Sequence, residues 1–410
     1  MSVSDIPAEE GAGADRWLTR GVAGIGGASL LADLGHEVPT ALLPGFLTAT
    51  LAAPAAALGL IEGVADGLAG AARFAGGALA DDPERRRRSA IGGYAATAVL
   101  SSLIGVTTAV WQVGLLRAGA WAARGLRVPA RNALLADVVP RGAYGRAYGF
   151  ERAMDNLGAI GGPLLALGLV ALVGTRNAML ISVVPGLLAS LAILYAIHVT
   201  RQPTRQERRP LRVRIRPVLE GQLGRILVGI SAFEVGNVAA TLLILRAAQL
   251  LTPDHGRDTA TKIALGLYTA YNAAATVASL WGGRLGDRRG TLPVLWLGVA
   301  LFGIAYLGLG FTGSSITTLT VFFVAAGVAI GFVETAEHAA VAAHAPAELR
   351  GSAFGALAGV QSLGNFAASG IAGLLWTAIS PRVAFIYLAA WMGFALLLLA
   401  RSSRTPTPPA

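Results

Sequence analysis

Ionisable residues interrupt the long apolar stretches of this chain, and their spacing decides what chemistry they can do together. Asp33, His36 and Glu37 stand at i, i+3 and i+4, the spacing of a single helix face. Glu62, Asp66 and Arg73 share a second stripe, and Arg117, Arg124 and Arg131 recur every seven residues. Glu151, Arg152, Asp155 and Asn156 form a further group. Glu234 and Asn237, then Glu334, Glu337 and His338, follow in the second half. A carboxylate withdrawn from water takes up a proton more readily, and a nearby arginine opposes that uptake. Such a set suits proton exchange. The alternative is that acids and arginines neutralise one another and stay buried as pairs, a role that fits Glu62, Arg73 and Arg131 best. Imidazole and carboxylate donors also suit divalent transition metals, so Asp33, His36, Glu37 and Glu234 are the metal candidates.

Other chemistries lack their residues. There is no cysteine, which excludes disulfides, thiolate metal sites and cysteine nucleophiles. No phosphate-binding loop of an ATP-driven pump is present, and no nucleophile has a base and an orienting partner. The expectation is a protein that is not an enzyme and needs no cofactor.

The elements that must position these charges are membrane spans. Of 410 residues, 54% are hydrophobic and 14% charged, whereas soluble domains carry about a quarter charged residues. The 53 glycines fit close helix packing in a bilayer. A span needs about 20 mostly apolar residues. That length places spans at 22–43, 53–80, 90–108, 109–135, 147–170, 178–197, 223–245, 263–285, 293–311, 317–342, 353–376 and 383–400. The junction near Thr108 has no polar break to mark it. A polar loop is expected at 252–262.

The net charge of +10 comes almost wholly from arginines, Lys262 being the one lysine. They fall in loops on one side: Arg85 to Arg88, Arg141, Arg146, Arg288, Arg289, Arg350 and the segment from Arg201 to Arg216. That distribution excludes a nucleic-acid partner and puts the basic side in the cytoplasm. The predicted organisation is a cytoplasmic N-terminal tail (1–17), a six-helix bundle (18–199) and an Arg-rich cytoplasmic linker (200–217). A second six-helix bundle (218–400) and a cytoplasmic C-terminal tail (401–410) follow. Both termini lie inside, in a multi-pass protein of the plasma (inner) membrane, expected to be a monomer in the lipid bilayer.

The two halves repeat each other at an offset of 206 residues. Gly77-Ala-Leu-Ala-Asp81 aligns with Gly283-Arg-Leu-Gly-Asp287, and the segment from Pro140 to Gly149 with that from Pro346 to Gly355. Leu157-Gly158 aligns with Leu363-Gly364. At a slightly different offset Asp33 corresponds to Glu234 and His36 to Asn237. Two such halves imply a pseudo-twofold axis along the membrane normal, with a path between them.

These features resemble the major facilitator superfamily. Its loop signature after the second span is Gly-x-x-x-Asp-Arg-x-Gly, matched by Gly283, Asp287, Arg288 and Gly290. The first copy keeps Gly77 and Asp81 but has Asp82 in place of the basic residue. In the fifth span, Gly149, Gly158, Gly162 and Pro163 fall in register with a glycine pattern of the family's exporters. Ala166 and Leu167 stand where its terminal Gly pair would be. The resemblance implies an all-α membrane protein of twelve transmembrane helices in two pseudo-symmetric six-helix bundles. It also implies a secondary transporter working by alternating access, with the signature loops latching one state and Arg131 contacting Asp81.

The expected function is proton-coupled export of a small organic solute or drug, with protons and that solute as partners. Asp33, His36, Glu37, Asp66, Arg117, Arg124, Asp155, Asn156, Glu234, Asn237, Glu334 and Glu337 are the coupling and binding candidates. Gly77, Asp81, Arg131, Gly158, Gly162, Pro163, Gly283, Asp287 and Arg288 are the gating candidates. The alternatives are a divalent-metal exporter of the iron type, a solute importer, or a sensor or partner subunit that transports nothing. Because the first half holds most of the buried charge, the coupling site is expected there, with the second bundle as its moving wall.

Overall fold

The computed structural model describes residues 17–200 and 216–402, and the expected tails and nearly all of the linker lie outside them. The described residues of the first half form α1 (Arg20–Gly45), α2 (Ala55–Ala80), α3 (Pro83–Ser102), α4 (Val110–Val138), α5 (Tyr144–Ile181) and α6 (Val183–Val199). Those of the second form α7 (Gly221–Gly236), α8 (Ala240–His255), α9 (Arg257–Arg289), α10 (Thr291–Phe311), α11 (Ile316–His344), α12 (Arg350–Ala378) and α13 (Pro381–Ser402). No strand occurs among the described residues.

These helices make twelve crossings. Gly174, at φ 78°, turns the chain inside α5, so the fifth crossing ends there and the sixth continues through α6. Glycine reaches such a φ at no steric cost. Conversely α7 and α8 form one crossing, interrupted at residues 237–239. The Thr108 junction is a short extended turn, where Gln112 Oε1 accepts from the backbone amides of Thr108 and Ala109. The polar loop expected at 252–262 is not a loop. Only Gly256, at φ 74°, breaks the helix there, because polar side chains at a membrane surface can hydrate without leaving helical geometry.

Among the described residues, seven helical stretches are long and apolar enough to cross a bilayer on composition alone. The crossings outside that set are α1, α2, α4 and α12, and the first three each carry several ionisable side chains. Their position in the membrane is enforced by packing. In the first bundle α1 lies against α5 and α6, and α4 against α2 and α3. The second bundle repeats this, with α7 against α12 and α13, and α11 against α9 and α10. The bundles meet along two seams, α2 with α12 and α5 with α9.

At the face opposite the linker, each bundle uses one arginine to close its third crossing. Arg176 donates to the carbonyls of Gly105 (2.9 Å) and Thr107 (2.8 Å). Arg246 donates to Leu309 (3.0 Å) and Gly310 (3.2 Å). The last carbonyls of a helix lack internal partners and attract cations. Arg176→Met or Arg246→Met should lower stability by about 1.5–3 kcal/mol each, the worth of hydrogen bonds from a charged donor. Thermal unfolding in detergent measures this, and an unchanged midpoint would remove the capping role.

Candidate functional site

The first-bundle charges converge and largely neutralise one another. Glycine makes the convergence possible: a Cβ on Gly158 of α5 would fall 2.8 Å from the Asp33 Cβ, and one on Gly162 2.4 Å from the Glu37 Cβ. These two predicted gating glycines, with Pro163 in the same stretch of α5, therefore bring α5 onto α1 within one bundle. His36 places Nε2 2.8 Å from Arg124 Nη1 and Nδ1 3.0 Å from the Ala32 carbonyl. Asp33 Oδ1 lies 3.3 Å from His36 Nδ1, 3.7 Å from Arg124 and 3.9 Å from Arg127. Glu37 Oε1 is 3.2 Å from His36 Nε2.

The other pairs are tighter. Arg117 is only 1% exposed; it meets Glu62 at 2.9 Å, donates to Thr40 Oγ1 and lies 3.4 Å over the Trp121 ring. Trp121 Nε1 in turn donates to Asp66 Oδ1 at 2.9 Å. Arg131 meets Glu151 at 2.7 Å and Asp155 at 3.4 Å, and Arg152 bonds the same two acids. The expected Arg131–Asp81 contact does not form. Arg131 lies between α1 and α5, where Ser29 and Glu151 take its donors, while Asp81 reaches into the other bundle. Arg127, which the seven-residue spacing passed over, is buried against Asp33 and lies 4.1 Å over the Tyr94 ring. Its signal was its position one turn after Arg124. In all, Arg117, Arg124, Arg127, Arg131 and Arg152 lie within 4 Å of Asp33, Glu62, Glu151 or Asp155, whereas among the described residues Glu37 and Asp66 have no arginine that close and Arg73 turns to the other bundle.

The second bundle has acids without such partners. Glu234 sits two residues before the end of α7. Gly364 packs on its Cβ as Gly158 packs on that of Asp33, so the repeat places the two acids in matching sockets. Asn237 Nδ2 donates to Glu234 Oε2 at 3.0 Å, and Asn365 holds the Asn237 carbonyl. Glu337 is fully buried; Gln361 donates to its Oε1, and Oε2 has no hydrogen-bond partner. Glu334 is half-buried one turn earlier, and Asn156 across the interface leaves its Nδ2 unpartnered. Among the described residues, no Arg or Lys nitrogen lies within 4 Å of Glu234, Glu334 or Glu337.

At the linker face the two bundles are fastened by a pair of matching contacts. Asp287, at the end of α9, accepts from the backbone N–H of Gly145 (2.6 Å) and Arg146 (3.1 Å) and from Arg146 Nε (2.7 Å). Asp81, just after α2, accepts from the N–H of Ser352 (2.8 Å) and from its hydroxyl. Each acid therefore caps the first turn of a helix in the opposite bundle, where free N–H groups favour an anion. Burial pushes the Asp81 carboxyl above its ordinary pKa, and the Ser352 hydrogen bonds pull it back. Beneath these caps backbone touches backbone: a Cβ on Gly283 would fall 2.3 Å from the Gly145 carbonyl oxygen, and one on Gly77 2.8 Å from that of Gly351. Arg350 adds an ion pair to Asp137 at 3.1 Å. Arg288 is exposed. Above this seal Glu37 and Arg124 keep 25% and 27% of their side-chain surface exposed, and Asp66 is exposed.

A family model described as Major Facilitator Superfamily matches residues 25–248 and 226–410. An uncharacterised MFS-type transporter of Methanocaldococcus jannaschii is 28% identical over 394 residues, covering 94% of this chain and 96% of the relative. Among solved structures, a bacterial homologue of the iron transporter ferroportin, in an outward-facing state, superposes with a TM-score of 0.75 at 14% identity. That match covers 94% of this chain and 100% of that one. A proton:xylose symporter matches with a TM-score of 0.70 at 15% identity, covering 95% and 96%. At such identities the likeness is one of fold.

Proposed function

The chain belongs to the major facilitator superfamily, and from that premise we propose that it exports a small organic solute in exchange for protons by alternating access. It is a multi-pass membrane protein and a secondary transporter, not an enzyme. The observation that carries the proposal is the uneven neutralisation of charge. Among the described residues, arginines pair with Asp33, Glu62, Glu151 and Asp155 in the first bundle and the other two acids, Glu37 and Asp66, keep exposed surface, while Glu234, Glu334 and Glu337 have no Arg or Lys at ion-pairing distance. A buried charge without a partner is costly in a bilayer. These positions are tolerable when a proton or a bound solute neutralises them, and that condition is what couples the two flows.

The sealed linker face and the exposure of Glu37, Asp66 and Arg124 support a cavity open to the other side. With the basic face in the cytoplasm, at the plasma membrane, both termini are cytoplasmic and this is the outward-facing state. Rocking the bundles breaks both caps and exposes the cavity inward. The fifth-crossing glycines support export. For the metal reading, no group of three or more His, Asp or Glu side chains among the described residues is placed to hold an ion, and His36 Nε2 is engaged by Arg124.

Reconstitution into liposomes tests the proposal, with solute flux followed under an imposed pH gradient. Flux should follow the gradient, and flux indifferent to it would reject proton coupling. Asp33→Asn should reduce coupled flux at least ten-fold, because Asp33 links His36 to the Arg124 and Arg127 charges. Unchanged activity would remove Asp33 from the mechanism.

A further inference from the structure

The unanswered acids of the second bundle are not placed at random. Glu334 and Glu337 lie one turn apart on α11, and both act electrostatically with Glu234 of α7. Glu337 Oε2 is buried and aimed at no donor. Independently of these acids, α9 presents Tyr268 and Tyr271 as a stacked pair, ring centroids 5.8 Å apart and planes 20° from parallel. The helix that carries Glu334 and Glu337 packs directly on this pair, a Cβ on Gly327 falling 2.2 Å from the Tyr271 carbonyl oxygen. Paired aromatic faces beside carboxylates favour organic cations, through ring quadrupole and charge together. The Trp121 face is unavailable for this purpose, because Arg117 covers it.

An anionic cargo would need a free arginine. Arg117, Arg131 and Arg152 are held by carboxylates, and Arg127 is buried against Asp33. Arg124 is bonded to His36, and Arg73 crosses the seam to Ser362 and the Ala358 carbonyl. The charge left over in the middle of the protein is negative.

We propose that Glu334 and Glu337, with the stacked Tyr268 and Tyr271 on the neighbouring helix, bind the positive group of an organic cation. This rests on the transport reading and names its cargo class: a protonated amine, a quaternary ammonium or a pyridinium. The cation and the exchanged protons occupy the same carboxyl groups in turn. The charged groups facing that set from other elements are Arg73 on α2, Arg131 on α4, and Glu151, Arg152 and Asp155 on α5. His338 on α11 also faces the set, its Nδ1 3.8 Å from Glu337 Oε1 while donating to the Glu334 carbonyl, and its ring is stacked on Phe354.

The test uses purified full-length protein with methylphenylpyridinium and tetraethylammonium as cation probes and p-aminohippurate as the anion probe. The cations should raise the melting temperature and release protons into weakly buffered solution on binding. Glu334→Gln and Glu337→Gln should each weaken cation binding at least ten-fold and reduce the proton release. Tyr268→Leu should weaken it while leaving the release per bound cation unchanged. Failure of both cations to bind, or binding untouched by Glu334→Gln and Glu337→Gln, overturns the proposal, as does p-aminohippurate binding abolished by Arg73→Met. Liposome flux separates this from the wider reading. Proton-driven transport of the anion alone would leave the antiporter standing and reject the cation site, whereas cation flux indifferent to pH would do the reverse.

Discussion

Gly149→Val is expected to reduce transport at least a hundred-fold while leaving a folded protein. A Cβ at this position would lie 2.2 Å from the Ser279 carbonyl oxygen and 3.3 Å from the Gly283 Cα. Both obstacles are backbone, held inside α9, and cannot rotate out of the way. The overlap exists only while the linker face is closed, so each bundle can still pack. Moving a two-state equilibrium from 1:99 to 99:1 takes about 5.5 kcal/mol, less than a clash with fixed backbone imposes. The protein should therefore rest with its linker face open. The chain contains no cysteine, so a single Cys at Ser362, in the α2–α12 seam, reports this directly. An impermeant maleimide applied from the linker side should label it slowly in the parent and quickly in the Gly149→Val background. Equal labelling would show that the seam is not the gate. Asp287→Ala in the same assay removes hydrogen bonds but no fit, and should give an intermediate rate.

Arg131→Met should be the most destabilising of the single substitutions considered, by about 3–5 kcal/mol, the usual cost of stranding one partner of a buried ion pair. Arg131 is 3% exposed and Glu151 1%. Glu151 would keep Ser29 (2.6 Å) and Arg152 (2.7 Å), yet Arg152 must also serve Asp155. Replacing both partners removes the stranded charge, so Arg131→Met with Glu151→Gln should recover at least half of the loss. Thermal unfolding of the four proteins closes the cycle. A single variant as stable as the parent, or a double variant no better than the single, would show that the pair contributes little to folding.

The sequence carried the spans, the repeat and the identity of nearly every polar residue in the middle of the protein. The offset that aligns Asp81 with Asp287 also aligns their targets, Ser352 with Arg146 and Gly351 with Gly145. Pseudo-symmetry was thus legible down to individual contacts. Partner choice was not. Helical spacing says which residues share a face, but not how neighbouring helices rotate, and so Arg131 was matched to Asp81 where the fold gives it Glu151. For the same reason charge density pointed to the first bundle, whereas pairing leaves the unanswered acids in the second. The interruption at residues 237–239 escaped because no proline or charge marks it.

The seal at the linker face has no moving side chain at its centre. Gly77, Gly145, Gly149, Gly283, Gly351 and Gly355 press main chain against main chain. A gate built from long side chains can leak by degrees, as one rotamer after another gives way in picoseconds to nanoseconds. This one has no partial setting, because nothing within it can yield without moving a whole helix. Leakage and turnover are then governed by the same slow event, the parting of two rigid bodies. Ions would slip through only as often as the transporter cycles.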